Sequence, residues 1–434
     1  MKYHLHSSYS AAIVSIGLAA MSLFSSCSDH CEVENSYTYL EPVYMTLEEL
    51  RSSVAVTDPE PLEMIGKIYF KDGYLFVNEP NLGFHVIDNR NPANPLNVAF
   101  INVPGSFDMA VNGNILYSDS YMDLVAIDIS NIQAVKEIGR IENVFDNYNS
   151  YGFYASPEQG VVTDWVEKQE VTITESSCEG QMYTWGVFYE DGIALANAED
   201  FRGNLAVSPT NPGIGGSMAR FTVANGQLFA LNQADVQPID ITSPANMSEG
   251  APITLDWGIE TIFPYDNNLF IGAVDGMYIL DVNNALEPQL ISKYQHIQSC
   301  DPVVVQDHLA YVTLRSGTEC QGFSNQLEVI DIADLTSPQL LYTYEMNNPH
   351  GLGIDGATLF VCDGTAGLKV YDASESWNIG NRLLAQYPEY FAYDVIPYNN
   401  VAMLIGDDGL YQYDYSDVSN IQLLSKIEIT YDNH

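Results

Sequence analysis

Residues 124–131, LVAIDISN, form an apolar run that ends at an aspartate and a turn. A similar segment occurs seven times in the chain, counting this one. The other copies are HVIDNRN (85–91), QPIDITS (237–243), YILDVNN (278–284), EVIDIAD (328–334), KVYDASE (369–375) and YQYDYSD (411–417). Four of the six gaps between the closing aspartates are 40 to 42 residues long. This is the period of a four-stranded propeller blade. The repeat therefore predicts an all-β fold, a seven-bladed β-propeller of four-stranded antiparallel blades.

One unit shows how the strands of a blade follow each other. DMAVNG (108–113), ILYSDS (115–120) and DLVAIDIS (123–130) are rich in β-branched and aromatic residues, as strands covered on both faces should be. AVKEIGRIE (134–142) is more polar, as an outer strand that meets water should be. The longest gap, 112 residues, holds one period and an insertion after the second blade, at about 143–214.

The aspartates that close the third strands are predicted to be structural. A carboxylate at this position can accept hydrogen bonds from backbone N–H groups of the turn that follows. The seven residues are Asp88, Asp128, Asp240, Asp281, Asp331, Asp372 and Asp414. One short helix is predicted within TLEELRSSV (46–54), where Thr46 and Glu49 can form a capping box.

The charge of the chain excludes some partners. The 434 residues include 57 acidic and 15 basic side chains, a formal charge of −42, with 46% hydrophobic residues. Such a surface repels nucleic acid and anionic lipid headgroups, so no nucleic-acid partner is expected. It can attract Ca²⁺ or another divalent cation, although solubility alone also explains the acidity.

The N-terminus reads as an export signal. Lys2 precedes the short apolar stretch AAIVSIGLAAMSLF (11–24), which runs into Ser25, Ser26 and Cys27. This pattern predicts a lipoprotein signal peptide at 1–26 and a lipid on Cys27, so that the lipid attaches the protein to a membrane. Phe24 is unusual in this pattern, and a plain secretory cleavage is the alternative.

The signal peptide predicts the location and the domain organisation. We expect an exported outer membrane lipoprotein at the cell surface or facing the periplasm, with a tether and short helix at 27–60 and the propeller at 61–434. An oxidising compartment favours disulfides, and Cys300 with Cys320 bracket one repeat unit and are the predicted pair. Cys362 lies in an apolar run and is predicted to be a buried strand cysteine.

Several longer stretches resemble a known family. They are EPVYMTLEELRSSV (41–54), GSFDMAV (105–111), GGSMARF (215–221), AYVTLRSGTEC (310–320) and LEVIDIAD (327–334). From about residue 40 to its end the chain resembles the LVIVD-repeat proteins, especially the lipoproteins of Bacteroidetes. The resemblance implies a β-propeller and little chemistry, because most members lack an established activity. GVVTDW (160–165) is less uniformly apolar than the matching run of relatives.

A first candidate site lies at one end of the central channel, where the innermost strands begin. The repeats place a polar residue near that position in each unit: Lys67, Asp108, Arg220, Thr261, Asp301, His350 and Asp394. The carboxylates together with His350 could hold a metal, although spacing along the chain does not identify one. The alternative is that a water-filled channel simply requires polar walls.

The insertion is the second candidate site. It is rich in aromatic residues, and Trp165, Trp185 and Tyr189 are the candidates for stacking on a sugar or a peptide side chain. Trp185 and Tyr189 are the two expected to protrude. The alternative is that these rings form a small core of the insertion itself.

Signatures of enzymes are scarce. The sequence has no G-x-S-x-G, P-loop, H-E-x-x-H or glycine-rich dinucleotide turn, so no catalytic residue is assigned. The leading hypothesis is a lipid-anchored envelope or surface propeller that binds a glycan or a protein without turning it over. One alternative is a polysaccharide hydrolase or lyase using Asp108, Asp301, His350 and Asp394. Another is a structural partner within an envelope complex.

Overall fold

The computed structural model describes residues 30–145, 149–150, 153–156, 158–177, 214–256, 258–296, 302–317 and 324–430. The chain divides into two compact units, residues 1–43 with 164–201 and residues 44–163 with 202–434. Within the described ranges, no helix is long and apolar enough to cross a membrane.

The N-terminal part of the described chain contains strand β1 (His30–Met45), helix α1 (Leu47–Leu50) and strand β2 (Ala55–Thr57). The predicted capping box of α1 is confirmed. The Glu49 N–H donates to Thr46 Oγ1 at 3.2 Å, and the Thr46 N–H donates to Glu49 Oε2 at 3.0 Å. Leu50 is fully buried against Tyr121 and Val161, which fixes the helix to the second blade.

The first two blades and the insertion follow in chain order. Blade 1 contains β3 (Ile68–Lys71), β4 (Tyr74–Glu79), β5 (Gly83–Asp88) and β6 (Leu96–Asn102), and blade 2 contains β7 (Met109–Asn112), β8 (Ile115–Ser120), β9 (Asp123–Asp128) and β10 (Lys136–Ile141). The described strands of the insertion are β11 (Asn149–Ser150), β12 (Phe153–Tyr154), β13 (Val161–Ser177) and β14 (Ile214–Gly215). The smaller unit consists of β1 as far as residue 43 paired with β13 from residue 164, and Tyr37 donates to Glu170 across this pair at 2.6 Å.

Five further blades complete the series. Blade 3 contains β15 (Phe221–Ala224), β16 (Gln227–Asn232), β17 (Asp235–Asp240), β18 (Ser248–Glu249) and β19 (Ile253–Thr254); blade 4, β20 (Ile259–Tyr265), β21 (Asn268–Ala273), β22 (Gly276–Asp281) and β23 (Gln289–Gln295). Blade 5 contains β24 (Val303–Gln306), β25 (Leu309–Leu314), β26 (Gln326–Asp331) and β27 (Gln339–Glu345); blade 6, β28 (Leu352–Asp355), β29 (Thr358–Cys362), β30 (Leu368–Asp372) and β31 (Leu383–Tyr387); blade 7, β32 (Ala392–Tyr398), β33 (Val401–Gly406), β34 (Gly409–Asp414) and β35 (Gln422–Glu428). Short 3₁₀ turns occupy Ile132–Ala134, Pro244–Asn246 and Ile379–Asn381. The predicted seven-bladed propeller is confirmed, with each blade antiparallel and its strands in sequence order.

The seven repeated aspartates hold the corners of the blades, as the sequence predicts. Each is the last residue of a third strand, and its Oδ1 accepts the N–H two residues later at 2.7 to 3.2 Å. Hydrogen bonds from Ser416 hold the pKa of Asp414 below its usual range. These carboxylates therefore stabilise turns rather than form a site.

The ring closes by packing of the first blade on the seventh. Ile68 of blade 1 and Ile396 of blade 7 are fully buried in one hydrophobic cluster. Beside it, the buried amides of Asn89 and Gln412 donate to each other at 2.9 and 2.7 Å. Blade 1 is also widened by β2 on its outer edge and by β14 on its inner edge, which the repeat pattern does not predict.

Candidate functional site

The predicted polar residues that the structure describes lie at the mouth of the central channel, defined here as the end where the innermost strands begin. Lys67, Asp108 and Arg220 each directly precede an innermost strand, and His350 lies two residues before β28. Asp394 is the third residue of β32. Asp301 lies outside the described residues. The structure therefore brings together residues up to 327 positions apart in the chain, and it divides them into two groups with different environments.

The first group is a buried ion pair between blades 1 and 2. Lys67 Nζ lies 3.0 Å from Asp108 Oδ2, and both residues are 1% exposed. The same oxygen accepts the N–H groups of Arg220 and Phe221 at 2.6 and 3.2 Å, while Oδ1 accepts the N–H of Met109 at 2.7 Å. Burial lowers the pKa of Lys67, and the facing carboxylate opposes that shift. Asp108 thus joins blades 1, 2 and 3, and its oxygens are fully engaged within the protein.

A carboxylate that the sequence did not single out completes this group. Asp119 Oδ1 accepts the N–H groups of Phe107 and Asp108 at 2.8 and 3.0 Å. Burial raises the pKa of Asp119 to about 6. Nothing in the repeat distinguishes this residue, because the equivalent positions of other blades carry unrelated side chains such as Cys362 and Ile405.

A segment of the chain itself crosses the channel mouth. Residues 214–219, which we call the crossing segment, link the insertion to blade 3, and β14 pairs with β3 of blade 1. The Ser217 hydroxyl accepts the N–H of Leu352 in blade 6 at 2.8 Å, and the carbonyl of Ala219 accepts the N–H of Ile262 in blade 4 at 2.8 Å. Family resemblance marks these residues as a motif, but only the fold shows that they run through the centre of the ring.

The second group begins with Asp394, which fastens the crossing segment to blade 7. Its Oδ1 lies 3.2 Å from both the N–H and the hydroxyl of Ser217, and 3.0 Å from the N–H of Val395. Its Oδ2 is buried without a hydrogen-bond partner among the described residues. A β-carbon on Gly216 or Gly351 would come within 1.8 or 2.1 Å of the carboxylate oxygens, so the two glycines make room for it. Burial raises the pKa of Asp394 to about 7.

His350 is the second member of this group. Its backbone is fixed, because its N–H donates to the carbonyl of Cys362 at 2.7 Å and its carbonyl accepts the Thr313 hydroxyl at 2.6 Å. The imidazole is 1% exposed, and neither Nδ1 nor Nε2 has a hydrogen-bond partner in the described chain. Burial, with a smaller effect of the Arg315 charge, lowers the pKa of His350 to about 3, so the ring is neutral at physiological pH.

Two half-buried aromatic rings cover His350. Phe391 and Tyr393 meet its ring edge to face, with centroids 5.1 and 5.8 Å away, and their own centroids are 4.7 Å apart. Tyr393 is the extra residue of a β-bulge in β32, and its carbonyl accepts the Gly351 N–H at 2.8 Å. A bulge changes the direction of a side chain relative to a regular strand. Sequence reasoning missed both aromatic residues, because the bulge has no signature in the repeat.

The predictions for the insertion and the cysteines have mixed outcomes. Trp165 is half-buried in β13, whereas Trp185, Tyr189, Cys27, Cys300 and Cys320 lie outside the described residues. Phe145, at the start of the insertion, stacks on Phe221 at 5.6 Å and packs on the core. Cys362 is a free, buried strand cysteine, as predicted, and burial raises its pKa well above the usual value.

The described residues contain no cluster of three or more His, Cys, Asp or Glu side chains that could hold a metal. Asp108 has no free oxygen for a cation, and neutral His350 with Asp394 offers two candidate ligands. With Asp301 outside the described residues, a divalent cation stays a prediction for this mouth.

The comparison with protein families agrees with the blade repeat. The family described as LVIVD repeat matches residues 106–142 and 321–346. The chain carries LVIVD repeats. The first match runs from β7 through β10, which is blade 2, and the second covers β26 and β27 of blade 5. An LVIVD repeat therefore corresponds here to the strands of a blade, with its repeated aspartate at the corner after the third strand.

Solved structures show the same fold around these LVIVD repeats. A computationally designed protein, Ika8, is 11% identical with a TM-score of 0.50, over 86% of this chain and 91% of that one. A protein from Lactobacillus plantarum is 13% identical with a TM-score of 0.51, over 85% of this chain and 97% of that one. The comparison with curated proteins found no match. At these identities the likeness shows the fold alone.

Proposed function

We propose that this protein is a non-catalytic binding scaffold in the bacterial envelope, attached to a membrane by a lipid on Cys27, with its ligand held at the channel mouth. The observation that carries the proposal is the contrast between the two polar groups. The oxygens of Asp108 are used within the protein, whereas three buried polar atoms of His350 and Asp394 have no partner in the described chain. Buried polar atoms without partners are rare in folded proteins, and a water, an ion or a ligand that bonds to them is one explanation.

Two of the three described candidates for acid–base chemistry, Asp108 and His350, are unsuited to it, and the third, Asp394, is enclosed in the protein at 1% exposure. A general base needs a free lone pair within reach of the substrate and a pKa near the working pH. Asp108 lacks the first, because four N–H donors surround it. His350 lacks the second, since its pKa is lowered to about 3. A glycan fits the mouth better than a protein, because the unpartnered imidazole of His350 contacts two aromatic rings and is not part of a broad surface.

A thermal shift screen tests the proposal. Purified protein is heated with neutral oligosaccharides, acidic oligosaccharides, peptides and divalent cations. A ligand at 100 times its Kd adds about 2.7 kcal/mol of stability, which raises the Tm of a chain of this size by about 3 °C. A bound glycan should be recovered unchanged after prolonged incubation. If no compound raises the Tm, or if the bound compound is converted into a product, the proposed function is wrong.

A further inference from the structure

The polar atoms around His350 extend to the loop that precedes it. Asn348 Oδ1 is also buried without a partner in the described chain. A β-carbon on Gly364 would lie 3.2 Å from both the Asn348 β-carbon and the Phe391 ring, so these two side chains flank that glycine closely. The three unpartnered atoms, Asn348 Oδ1 and both nitrogens of His350, thus belong to two residues two positions apart in the chain, and both side chains lie near Phe391.

We propose that Phe391, Tyr393, His350 and Asn348 form a subsite for a neutral sugar, in which the sugar ring stacks on the aromatic pair and its hydroxyls bond to the imidazole and the amide. The inference rests on the proposed function and specifies its ligand. The aromatic rings are half-buried, and each contacts the buried imidazole edge to face. A sugar hydroxyl reaches the buried imidazole only if Phe391 changes its rotamer, a kind of motion that exposed side chains make within nanoseconds.

The chemistry of the unpartnered atoms selects a neutral ligand. A neutral imidazole offers one donor and one acceptor, and an amide oxygen is an acceptor, which matches hydroxyl groups that both donate and accept. An anion would bind a protonated imidazole best, but burial and the Arg315 charge lower the pKa of His350 to about 3. The nearby Arg315 charge also opposes a cation at this ring. A sugar adds an apolar C–H face, for which Phe391 and Tyr393 supply the stacking surface.

Four substitutions separate recognition from folding. Tyr393→Leu and Phe391→Leu remove the stacking rings and keep an apolar side chain. His350→Leu removes two unpartnered nitrogens and leaves intact the backbone bonds to Cys362 and Thr313. Tyr398→Leu is the matched control, because Tyr398 is a 37% exposed tyrosine at the far end of the same strand and meets the Phe70 ring in a tilted contact with centroids 5.1 Å apart.

Binding is measured by isothermal titration calorimetry with maltose, lactose, cellobiose and diacetylchitobiose, and with digalacturonic acid as the charged comparison. We expect at least one neutral disaccharide to bind and digalacturonic acid not to bind. Tyr393→Leu and Phe391→Leu should each raise the Kd about tenfold, the loss expected for one stacked ring. Tyr398→Leu should leave the Kd unchanged.

His350→Leu distinguishes a role in sugar binding from a role in folding, because the Tm and the sugar affinity of this variant are measured separately. Replacing buried polar atoms that lack partners by an apolar side chain is neutral or stabilising. We therefore expect its Tm to equal or exceed that of the wild type while sugar binding is lost. A Tm lower by several degrees would show that the imidazole has a structural partner, and it would overturn the assignment of His350.

The remaining outcomes distinguish the two proposals. If only a charged glycan, a peptide or a cation binds, the neutral-sugar subsite is wrong and the binding scaffold stands. If sugar binding survives all of the mouth substitutions, the sugar binds elsewhere and the subsite is wrong. If no ligand of any class binds, the proposed function itself fails.

Discussion

Asp394 makes a specific prediction about the pH dependence of stability. The carboxyl is 1% exposed, and only one of its two oxygens is hydrogen-bonded in the described structure. The Lys67 charge favours the ionised form of Asp394, and the Asp394 charge in turn raises the pKa of the Cys362 thiol. Asp394→Asn keeps the acceptor for the Ser217 and Val395 N–H groups and removes the titratable proton. The wild type and Asp394→Asn should therefore have nearly the same structure, but their stabilities should depend differently on pH.

The expected magnitude follows from the raised pKa. The pKa of Asp394 rises from 3.8 to about 7 because burial disfavours the charged form. The folded protein thus holds this proton more tightly than the unfolded chain, and the stabilisation from this group is present below about pH 4 and is lost as the pH rises to 7. Three pKa units correspond to about 4 kcal/mol, an order-of-magnitude value for a fully buried group.

The measurement is the Tm and the urea midpoint of both proteins between pH 4 and pH 8. We expect Asp394→Asn to be similar to the wild type, or slightly less stable, at pH 4 and clearly more stable at pH 8. Asp266→Asn is the matched control for the substitution itself, because Asp266 is an exposed turn residue in blade 4. A difference between Asp394→Asn and the wild type that is constant from pH 4 to pH 8 would refute the reasoning.

Three further predictions concern packing and processing. Asp123→Ala should destabilise the protein by about 2 kcal/mol or more in urea melts, because it removes the buried carboxylate that Arg51 and Arg140 share and leaves each arginine with a single carboxylate partner, Glu142 or Glu137. Glu428→Ala, at an exposed 3.7 Å contact, should change stability by less than about 0.5 kcal/mol, and equal effects of the two substitutions would contradict this. Gly351→Ala should lower the Tm by several degrees, since its β-carbon would lie 2.1 Å from a carboxylate oxygen, and Gly317→Ala, with open space at its β-carbon, should not. Cys27→Ala should move the protein from the membrane to the soluble fraction and abolish labelling with a fatty acid; a variant that stays in the membrane fraction would argue against the lipid anchor.

The sequence predicts the blades because the stabilising interactions of a blade are local. Each blade packs strands that follow one another in the chain, and its corner aspartate accepts an N–H only two residues away. The capping box at Thr46 is equally local. Local interactions leave a periodic trace in the sequence, so the period near 41 residues was enough to give the number, order and strand content of the blades.

The sequence also predicted which residues lie at the mouth, but it did not predict which of them pair with each other. The repeat aligns Lys67, Asp108, His350 and Asp394 because each occupies a similar place in its own blade. It does not show that the first two neutralise each other while His350 lacks a partner in the described chain. Burial and pairing depend on which blades are neighbours across the ring, and this information is present only in the tertiary structure.

By itself, the sequence determined the seven-bladed propeller and indicated which polar residues begin its innermost strands. Only the tertiary structure decided that the crossing segment runs through that ring, that Ser217 binds Asp394 across 177 positions, and that a bulge turns Tyr393 toward His350. The physical reason is that the closing of a ring brings together residues from distant blades, and contacts of this kind follow no period along the chain.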